Sequence, residues 1–381
     1  MNKTILLIPI LALAACTNEQ PQTLKDALEG KFLIGAAINE AQIRYQAPAE
    51  DSVLLRHFNA IEPENCLKSE EIQPQKGVFV WDLADKYVDF GTENNLAVYG
   101  HVLTWHSQLP DWFPKNEDGT DVTPEELKAR MKEHIYTLVG RYKGRIKGWD
   151  VVNEAIMDDG SWRESPFYRI LGEEYIPLSF QYAHEADPDA ELYYNDYNMF
   201  RPEKAEAVAK LVNELKARGL RIDAVGFQGH YGIDYPDFGE LQKAIDIVTA
   251  TGVKIQFTEF DMTILPTLTR SADIGDMSFK DVVNDPELFE KHKDMFVPYP
   301  DGIPQEVQDK WNQRMEDFFE LLLRNSDNIL RLNVWGVQDG NSWKNEYPTV
   351  IPGREEAPLL FDRNLAEKPA TRWLIENAKN F

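Results

Sequence analysis

Two apolar runs of this chain each carry an acidic side chain at or near their end. KGWDVVNEA places Asn153 beside Glu154, and VKIQFTEFD places Glu259 two residues before Asp261. Short runs rich in β-branched and aromatic residues predict buried strands. A carboxyl group at the end of such a strand is held rigidly, and partial burial can shift its pKa. Two glutamates that meet across a cleft are the minimum that cleavage of a glycosidic bond requires.

Each of these acidic residues also has a structural interpretation. Glu154 could form an ion pair at the rim of a barrel, because burying a carboxylate without a partner is costly. Glu259 and Asp261 alternate along one strand and share a face, where they could be solvated or bind a cation. Hard cations need several carboxylates close together, and zinc needs His and Cys ligands. His101 and His106, five residues apart on a strand, would face opposite sides, so we expect neither a metal nor another cofactor.

Eight strand-like apolar runs alternate with helix-like stretches along the chain. The runs cover residues 33–39, 57–64, 96–102, 146–154, 191–197, 223–231, 253–260 and 331–337. The clearest helical stretches cover residues 124–142, 202–219 and 310–325, and Thr123 is the expected N-cap of the first.

This alternation of strands and helices predicts a parallel sheet. Eight units in about 350 residues favour a single-domain α/β fold, the (β/α)8 TIM barrel. An open doubly wound sheet is the alternative. It would need a glycine-rich phosphate turn after its first strand, and GAAINEAQ lacks one.

Reactive residues of a TIM barrel lie where its strands end, on one face. In this chain a set of polar side chains lies at or just past the ends of the runs: Asn39, Glu64, Asn65, His101, Glu154, Asn195, His230 and Glu259. Asn153 and Glu154 are adjacent, so both reach the mouth of the barrel only if the strand carries a bulge at that point.

The segments around these positions are rich in tryptophan and in side chains that bind hydroxyl groups. GHVLTWHSQLPDW contains two His, two Trp and a Gln, QGHY adds Gln228 and His230, and WGVQDGNSW adds Trp335 and Trp343. Sugars present hydroxyls to polar groups and flat apolar faces to indole rings. The combination predicts a carbohydrate-binding cleft.

The composition limits the partners of the chain. Its 381 residues are 43% hydrophobic and 27% charged, as is usual for a soluble globular protein. The net charge of −24 argues against a nucleic acid partner, because phosphate binding needs a basic surface. We expect the chain to act as a monomer.

The first residues read as a targeting segment. Lys3 precedes the apolar run ILLIPILALAA, which is too short to span a bilayer. LAAC resembles a bacterial lipoprotein cleavage box. That resemblance implies a signal over residues 1–15, lipid on Cys16, a short tether over 16–23 and a catalytic domain over 24–381.

This reading has consequences for location. We expect an exported protein on the outer membrane or cell surface, whose membrane contact is the lipid on Cys16 alone. An ordinary secretion signal cut near the same place is the alternative, and it would give a periplasmic or secreted protein. If Cys16 is lipidated, Cys66 is the one cysteine left, so no intrachain disulfide forms.

Across residues 24–379 the chain resembles the family 10 glycoside hydrolases, which are endo-β-1,4-xylanases. The matching segments include FNAIEPENCLK, GHVLTWHSQLPDWF, SWRESPFY, YNDYN, GFQGHY and VWGVQDGNSW, and WDVVNEA combined with FTEFD is specific. The resemblance implies cleavage of internal β-1,4-xylosidic bonds in xylan and xylo-oligosaccharides by double displacement, with retention. The residues alone leave retention or inversion open, because the separation of the two carboxyl groups decides it.

The resemblance also implies a role for each candidate residue. Glu154 matches the general acid/base, Glu259 the nucleophile, and Asn153 the residue that contacts the sugar 2-hydroxyl. Asp261 would hold His230. The remaining matches are to residues that bind or enclose the sugar chain: Glu64, Asn65, Lys68, His101, Trp105, Gln108, Gln228, His230, Trp335 and Trp343.

Two other functions fit part of the sequence. A surface lipoprotein could bind glycans through the same tryptophans without cutting them, although a binder has no need of two glutamates at strand ends. A related barrel β-glucanase or cellulase would share the chemistry. Its substrate differs by a hydroxymethyl group on each sugar, and one extra group in a pocket changes binding by about 1–3 kcal/mol.

Overall fold

The computed structural model describes residues 22–266, 268, 278–346 and 350–381. The predicted signal over 1–15, Cys16 and most of the tether over 16–23 therefore lie outside the described residues. Within the described ranges, no helix is long and apolar enough to cross a membrane.

Parallel strands close into a barrel. The strands of the described residues are β1 (Leu33–Ile38), β2 (Ala60–Pro63), β3 (Ala97–Gly100), β4 (Gly148–Asn153), β5 (Glu191–Asp196), β6 (Ala224–Phe227), β7 (His230–Gly232), β8 (Lys254–Thr263) and β9 (Ile329–Val334). The ring runs from β1 through β6 to β8 and β9, and β9 pairs with β1. The predicted eight-stranded TIM barrel is confirmed.

One predicted strand is divided in two. The run over 223–231 forms β6 in the ring and the short β7, which pairs with the outer end of β8. Gly229 separates them with φ of 83°, a left-handed backbone that glycine adopts at little cost. Because of this break, β7 lies above the ring and carries His230 over the cleft.

Helices follow the strands and cover the outside of the ring. They are α1 (Leu24–Ala27), α2 (Glu40–Ile43), α3 (Pro48–His57), α4 (Ser69–Ile72), α5 (Asp82–Glu93), α6 (Pro124–Arg141), α7 (Pro166–Leu171), α8 (Tyr175–Ala186), α9 (Pro202–Ala217), α10 (Phe238–Thr249), α11 (Phe279–Asn284), α12 (Pro286–Lys291), α13 (Lys293–Phe296), α14 (Gln305–Arg324) and α15 (Pro369–Asn377). Single 3-10 turns lie at Gly172–Glu174, Ser326–Asn328, Asp339–Asn341, Trp343–Asn345 and Ala378–Asn380.

The three predicted helices are present. The hydroxyl of Thr123 accepts a hydrogen bond from the Glu126 amide at 3.2 Å, so α6 begins at its expected cap. Helix α14 begins at Gln305, five residues before the predicted start. Pro304 precedes it as the N-cap, and its ring sets a backbone angle compatible with helix entry.

The interior of the barrel changes character along its axis. At the amino ends of the strands, Tyr99 and Tyr193 fill the ring together with Ala60 and Ala224. Toward the carboxyl ends the inward side chains become polar, whereas the outward ones pack apolar faces against the helices. A packed lower half and a polar upper half restrict any site to the carboxyl face.

The segment between β8 and α14 forms a small cluster of its own. Val282 and Phe296 pack with Val297 and with Ile351 from the segment after β9. The Arg354 guanidinium donates to the carbonyl oxygen of Phe296 at 3.1 Å. The described residues between β8 and α14 therefore pack against the segment after β9.

Candidate active site

A bulge in β4 determines which of its side chains enter the barrel. The register against β5 shifts between Asp150 and Val152. Asp150 and Asn153 therefore both point inward although they are three residues apart. Glu154 follows with φ of 57°, an uncommon left-handed backbone for a residue with a Cβ. The bulge lies just before the predicted position, and the left-handed turn brings Glu154 to the mouth.

Glu259 on β8 is buried and held from two sides. The Asn195 amide donates to its Oε1 at 2.9 Å, and the His230 Nε2 lies 3.2 Å from its Oε2. Asn195 is itself fixed by the Thr258 hydroxyl, which donates to its Oδ1 at 2.6 Å. Gly226 leaves the room for this amide, because a Cβ there would lie 2.2 Å from the Asn195 oxygen. The Glu259 carboxylate is thus confined to one orientation.

His230 links Glu259 to Asp261. Its Nδ1 lies 2.9 Å from the Asp261 Oδ2, which also accepts from the Trp343 indole N–H at 2.8 Å. The Lys344 ammonium lies 3.4 Å from the other Asp261 oxygen. Since both carboxylates contact one imidazole, Glu259 and Asp261 share a face, as their spacing predicts.

The charges in this group favour an ionised Glu259. Burial alone would raise the pKa of Glu259, but the hydrogen bond from His230, the charge of His230 and the hydrogen bond from Asn195 together lower it. Burial alone would lower the pKa of His230, but Asp261 and Glu259 raise it to about 9. An ionised carboxylate beside a protonated imidazole is suited to nucleophilic attack.

We expect His230→Gln to flatten the dependence of the melting temperature on pH above neutrality. The folded pKa of His230 is about 9, above its ordinary value of 6.5, so the folded state binds this proton more tightly. The resulting stabilisation is complete below pH 6.5 and disappears as the pH rises through about 9. Calorimetry on both proteins across this window measures it. Parallel curves of melting temperature against pH for the two proteins would contradict the raised pKa of His230.

Glu154 lies across the cleft in a different setting. The Gln228 amide donates to its Oε1 at 3.0 Å, and its backbone nitrogen donates to the Asn195 carbonyl at 2.9 Å. The Arg163 guanidinium donates to the Glu154 carbonyl at 2.7 Å and to the Tyr197 hydroxyl at 2.5 Å. Arg163 therefore holds the left-handed backbone that aims the Glu154 side chain.

Asn153 lies between the two glutamates. Its amide oxygen lies 3.0 Å from the Asn195 amide nitrogen and 3.3 Å from that of Gln228. Turned through 180°, the same amide would accept from the Trp105 indole N–H at 3.3 Å. Asn195 contacts Glu259, and Gln228 contacts Glu154, so a row of three amides connects the two carboxyl groups.

One wall of the cleft is built around Lys68. Its ammonium donates to Gln108 at 2.7 Å and to Asn65 at 3.0 Å, and lies 5.3 Å from the Trp105 ring centre. Burial lowers the pKa of Lys68, with nearby glutamates opposing the shift, and burial raises the pKa of Glu64, with Lys68 opposing it. These groups offer several donors and acceptors beside an indole face, which suits a sugar.

The floor of the cleft is formed by His101. Its ring centre lies 6.0 Å from that of Trp105 and 5.7 Å from that of Trp335, and its Nδ1 lies 2.9 Å from the Asp150 Oδ2. His101 and His106 both follow β3, which ends at Gly100, so the prediction that they share a strand was wrong.

Only one group of three among the described residues has the spacing to hold a cation: Glu62, His101 and Asp150. Arg331 already occupies both Glu62 oxygens, at 2.6 and 3.3 Å, and His101 is bonded to Asp150. Hard cations bind about six to eight oxygens, so this cluster is a poor metal site.

The structure brings the predicted site residues to one face of the barrel, around Glu154 and Glu259. It also adds Thr258, Asp150 and Arg163, which the sequence did not single out, and it gives contacts to Asn195, which the sequence placed on this face without a role. Asn195 does lie at a strand end, which is a signal in its favour. Asp150, Thr258 and Arg163 act on other site residues through long-range contacts that spacing does not reveal. The roles of individual residues stay predictions.

A barrel that presents a pair of glutamates, bridging amides and indole rings at the carboxyl ends of its strands defines a glycoside hydrolase. The model described as "Glycosyl hydrolase family 10" matches residues 23–377. The chain belongs to glycosyl hydrolase family 10.

Named relatives agree with this family. The chain is 44% identical to an endo-1,4-β-xylanase A of Xylanibacter ruminicola, over 96% of this chain and 96% of that protein. It is 35% identical to an endo-1,4-β-xylanase of Geobacillus stearothermophilus, over 93% and 98%. It is also similar to the structure of a family 10 endoxylanase from a sugarcane soil metagenome, with a TM-score of 0.83, 40% identity and coverage of 93% of this chain and 99% of the other.

Proposed function

We propose that this protein is an endo-β-1,4-xylanase that cleaves internal bonds of xylan with retention of configuration. The observation that carries the proposal is the arrangement of Glu259 and Glu154. One carboxylate is held ionised by His230 and Asn195, and the other is aimed by a left-handed turn toward the same cleft. Kinship with endo-1,4-β-xylanases over nearly the whole chain supports xylan as the substrate.

The reaction proceeds in two displacements. Glu259 attacks the anomeric carbon while Glu154, protonated, gives its proton to the leaving glycosidic oxygen. The bond to the leaving chain breaks, and a glycosyl ester forms on Glu259. Attack neutralises Glu259, and Glu154 then takes a proton from the water that cleaves the ester. The row of amides through Asn153 keeps the two carboxyls in register throughout.

The sugar is bound by the walls described above. Lys68, Gln108 and Asn65 form a polar cluster beside Trp105, and His101 supports it from below. The Trp343 ring centre lies 5.0 Å from that of His230, the residue that contacts Glu259. We infer that these indoles enclose a xylose unit at the point of cleavage.

Hydrolysis of purified substrates tests the function. Release of reducing ends from xylan, with a fast early fall in viscosity, is expected for an endo-acting xylanase. Mixed-linkage glucan and carboxymethyl cellulose should be cleaved more slowly, because the cleft must exclude their hydroxymethyl groups. Binding of xylan without any cleavage would establish a glycan-binding protein instead. Faster cleavage of glucan than of xylan would make it a β-glucanase.

We also propose that the chain is exported and anchored by lipid on Cys16, and that it acts as a monomer. The apolar run behind Lys3 and the LAAC sequence support the anchor. The described chain enters through α1 and the start of β1 at Leu33, at the amino ends of the strands. An anchor at Cys16 would therefore leave the cleft, at the carboxyl ends, facing away from the membrane.

We expect Cys16→Ser to move the protein from the detergent phase to the aqueous phase after detergent partition of expressing cells. Loss of the acylated thiol removes the one lipid attachment point that the proposal allows. Cys66→Ser is the matched control, because Cys66 is buried and its change should leave the partition as in the wild type. Equal aqueous partition of wild type and Cys16→Ser would instead indicate an ordinary secretion signal.

A further inference from the structure

Beneath the cleft the barrel buries two carboxyl groups that the proposed reaction does not use. Glu62 on β2 is 0% exposed and Asp150 on β4 is 1% exposed. Polar atoms of these two residues and of His101 lie within 4.8 Å of one another. Two carboxylates this close in a buried setting repel each other strongly if both are ionised.

The partners of the two carboxyls are unequal. The Arg331 guanidinium donates to both oxygens of Glu62, at 2.6 and 3.3 Å. Asp150 has one oxygen 2.9 Å from the His101 Nδ1. Its other oxygen is buried and finds no N–H or O–H donor among the described residues. Leaving a buried acceptor without a donor is destabilising, so a donor that the hydrogen positions do not reveal is expected.

That donor is the neighbouring carboxyl. Carboxyl oxygens of Asp150 and Glu62 lie within 4.8 Å of each other, so Glu62 is the side chain placed to supply it. Ionised carboxylates only accept hydrogen bonds, so a bond between two carboxyl groups requires that one of them carries a proton. We propose that Glu62 and Asp150 share one proton, and that this proton keeps Asp150 as an acceptor for His101 Nδ1–H, leaving His101 Nε2 as an acceptor for a sugar hydroxyl. The sugar contact rests on the proposed function, whereas the shared proton does not.

The charges around the pair agree with one proton. One guanidinium, one carboxylate, one carboxylic acid and a neutral imidazole sum to zero, the least costly state for a buried cluster. Burial raises the pKa of Glu62 to about 8 and that of Asp150 to about 7, and Arg331 opposes both shifts. Burial also lowers the pKa of His101, which keeps it neutral.

The remaining titratable groups that face the pair do not replace this proton. Glu259 lies above it on β8, and its negative charge raises the pKa of Asp150 further. Tyr87 on α5 and Tyr99 on β3 have raised pKa values because they are buried, so both stay protonated. The Tyr87 hydroxyl is committed to the backbone carbonyls of Ile61 and Tyr99. Glu62 and Asp150 are positioning residues, since His101 lies between them and the substrate.

Amide substitutions test the shared proton. In Asp150→Asn the amide oxygen can accept from His101 while the amide nitrogen donates to Glu62, so the variant mimics a protonated Asp150. Glu62→Gln likewise leaves one carboxylate, that of Asp150, near the charge of Arg331. Each single variant should therefore lose far less kcat/KM than the double variant. The double variant leaves Arg331 buried without a counter-charge and should lose about 10²-fold or more.

The comparison of the two single variants with the double variant decides whether the two carboxyl groups share one proton. The proposal is supported if both single variants lose little activity, the double variant loses much more, and all three melt cooperatively, because one negative charge is then enough for the pair. Each single losing as much as the double would overturn it. The wild-type kcat/KM should also fall at alkaline pH as the proton leaves, and this fall should be smaller in Asp150→Asn. An identical fall of kcat/KM at alkaline pH in wild type and in Asp150→Asn would count against the proposal.

Infrared spectroscopy detects the proton without substrate, so its result is separate from the xylanase assignment. In a Glu154→Gln background, which removes the acid of the cleft, the protein at neutral pH should show the C=O stretch of a buried carboxylic acid. Asp150→Asn and Glu62→Gln should each abolish that component in a difference spectrum. An unchanged band in both would overturn the proposal, as would a stoichiometric metal ion that copurifies with wild type and is absent from Asp150→Asn.

Discussion

Glu259→Ala is expected to abolish xylan hydrolysis, with kcat falling by about 10⁵-fold or more, while the protein stays folded. Without the carboxylate no glycosyl ester forms, and water in its place is a weak and badly oriented nucleophile. The truncation leaves Asn195 and His230 without their partner, so a lower melting temperature is expected but not unfolding.

The control for this variant removes a glutamate at another position, so that the loss of one negative charge is tested apart from the loss of the nucleophile. Glu133→Ala removes an exposed glutamate from α6, on the outside of the barrel, and should keep full activity. Azide is small enough to enter the space left by Glu259→Ala, and with an activated aryl xyloside it should form a glycosyl azide of inverted configuration. Normal turnover by a folded Glu259→Ala would end the assignment of Glu259 as the nucleophile.

The fold was predictable because its signals are local. Apolar runs of strand length alternate with amphipathic stretches, and caps such as Thr123 fix where helices begin. Packing then has few choices, since eight such units can cover both sides of their strands by closing into a barrel. The exception was the run over 223–231, where Gly229 ends one strand and lets β7 form above the ring.

The sequence predicted which residues belong to the site but not the contacts between them. Strand ends place polar residues on one face, which is enough to nominate Glu154 and Glu259. The contacts that define their chemistry join distant parts of the chain, such as Asn195 to Glu259 and Arg163 to the Glu154 carbonyl. They depend on a bulge at Asp150 and on left-handed backbone at Glu154, and neither has a signature in residue type.

Glu154→Ala is expected to separate substrates by their leaving groups. Xylan, whose leaving alcohol needs a proton, should lose about 10²–10⁴-fold in kcat/KM. An aryl xyloside with an acidic phenol needs no such help, so its first step should stay fast. The second step then limits turnover, because no base remains to activate water, and a burst of phenol with a low KM is expected.

Azide is also added to Glu154→Ala, where it is expected to attack the face of the sugar opposite to the one it attacks in Glu259→Ala. In Glu154→Ala it replaces water in the second step, so the aryl xyloside should turn over faster and give a glycosyl azide of retained configuration. Opposite stereochemistry from the two variants would place one carboxyl on each side of the sugar, as double displacement requires. An equal loss of activity on substrates with good and poor leaving groups, with no response to azide, would show that Glu154 is not the acid. The contacts of Gln228 and Arg163 with Glu154 would then not position a catalytic acid.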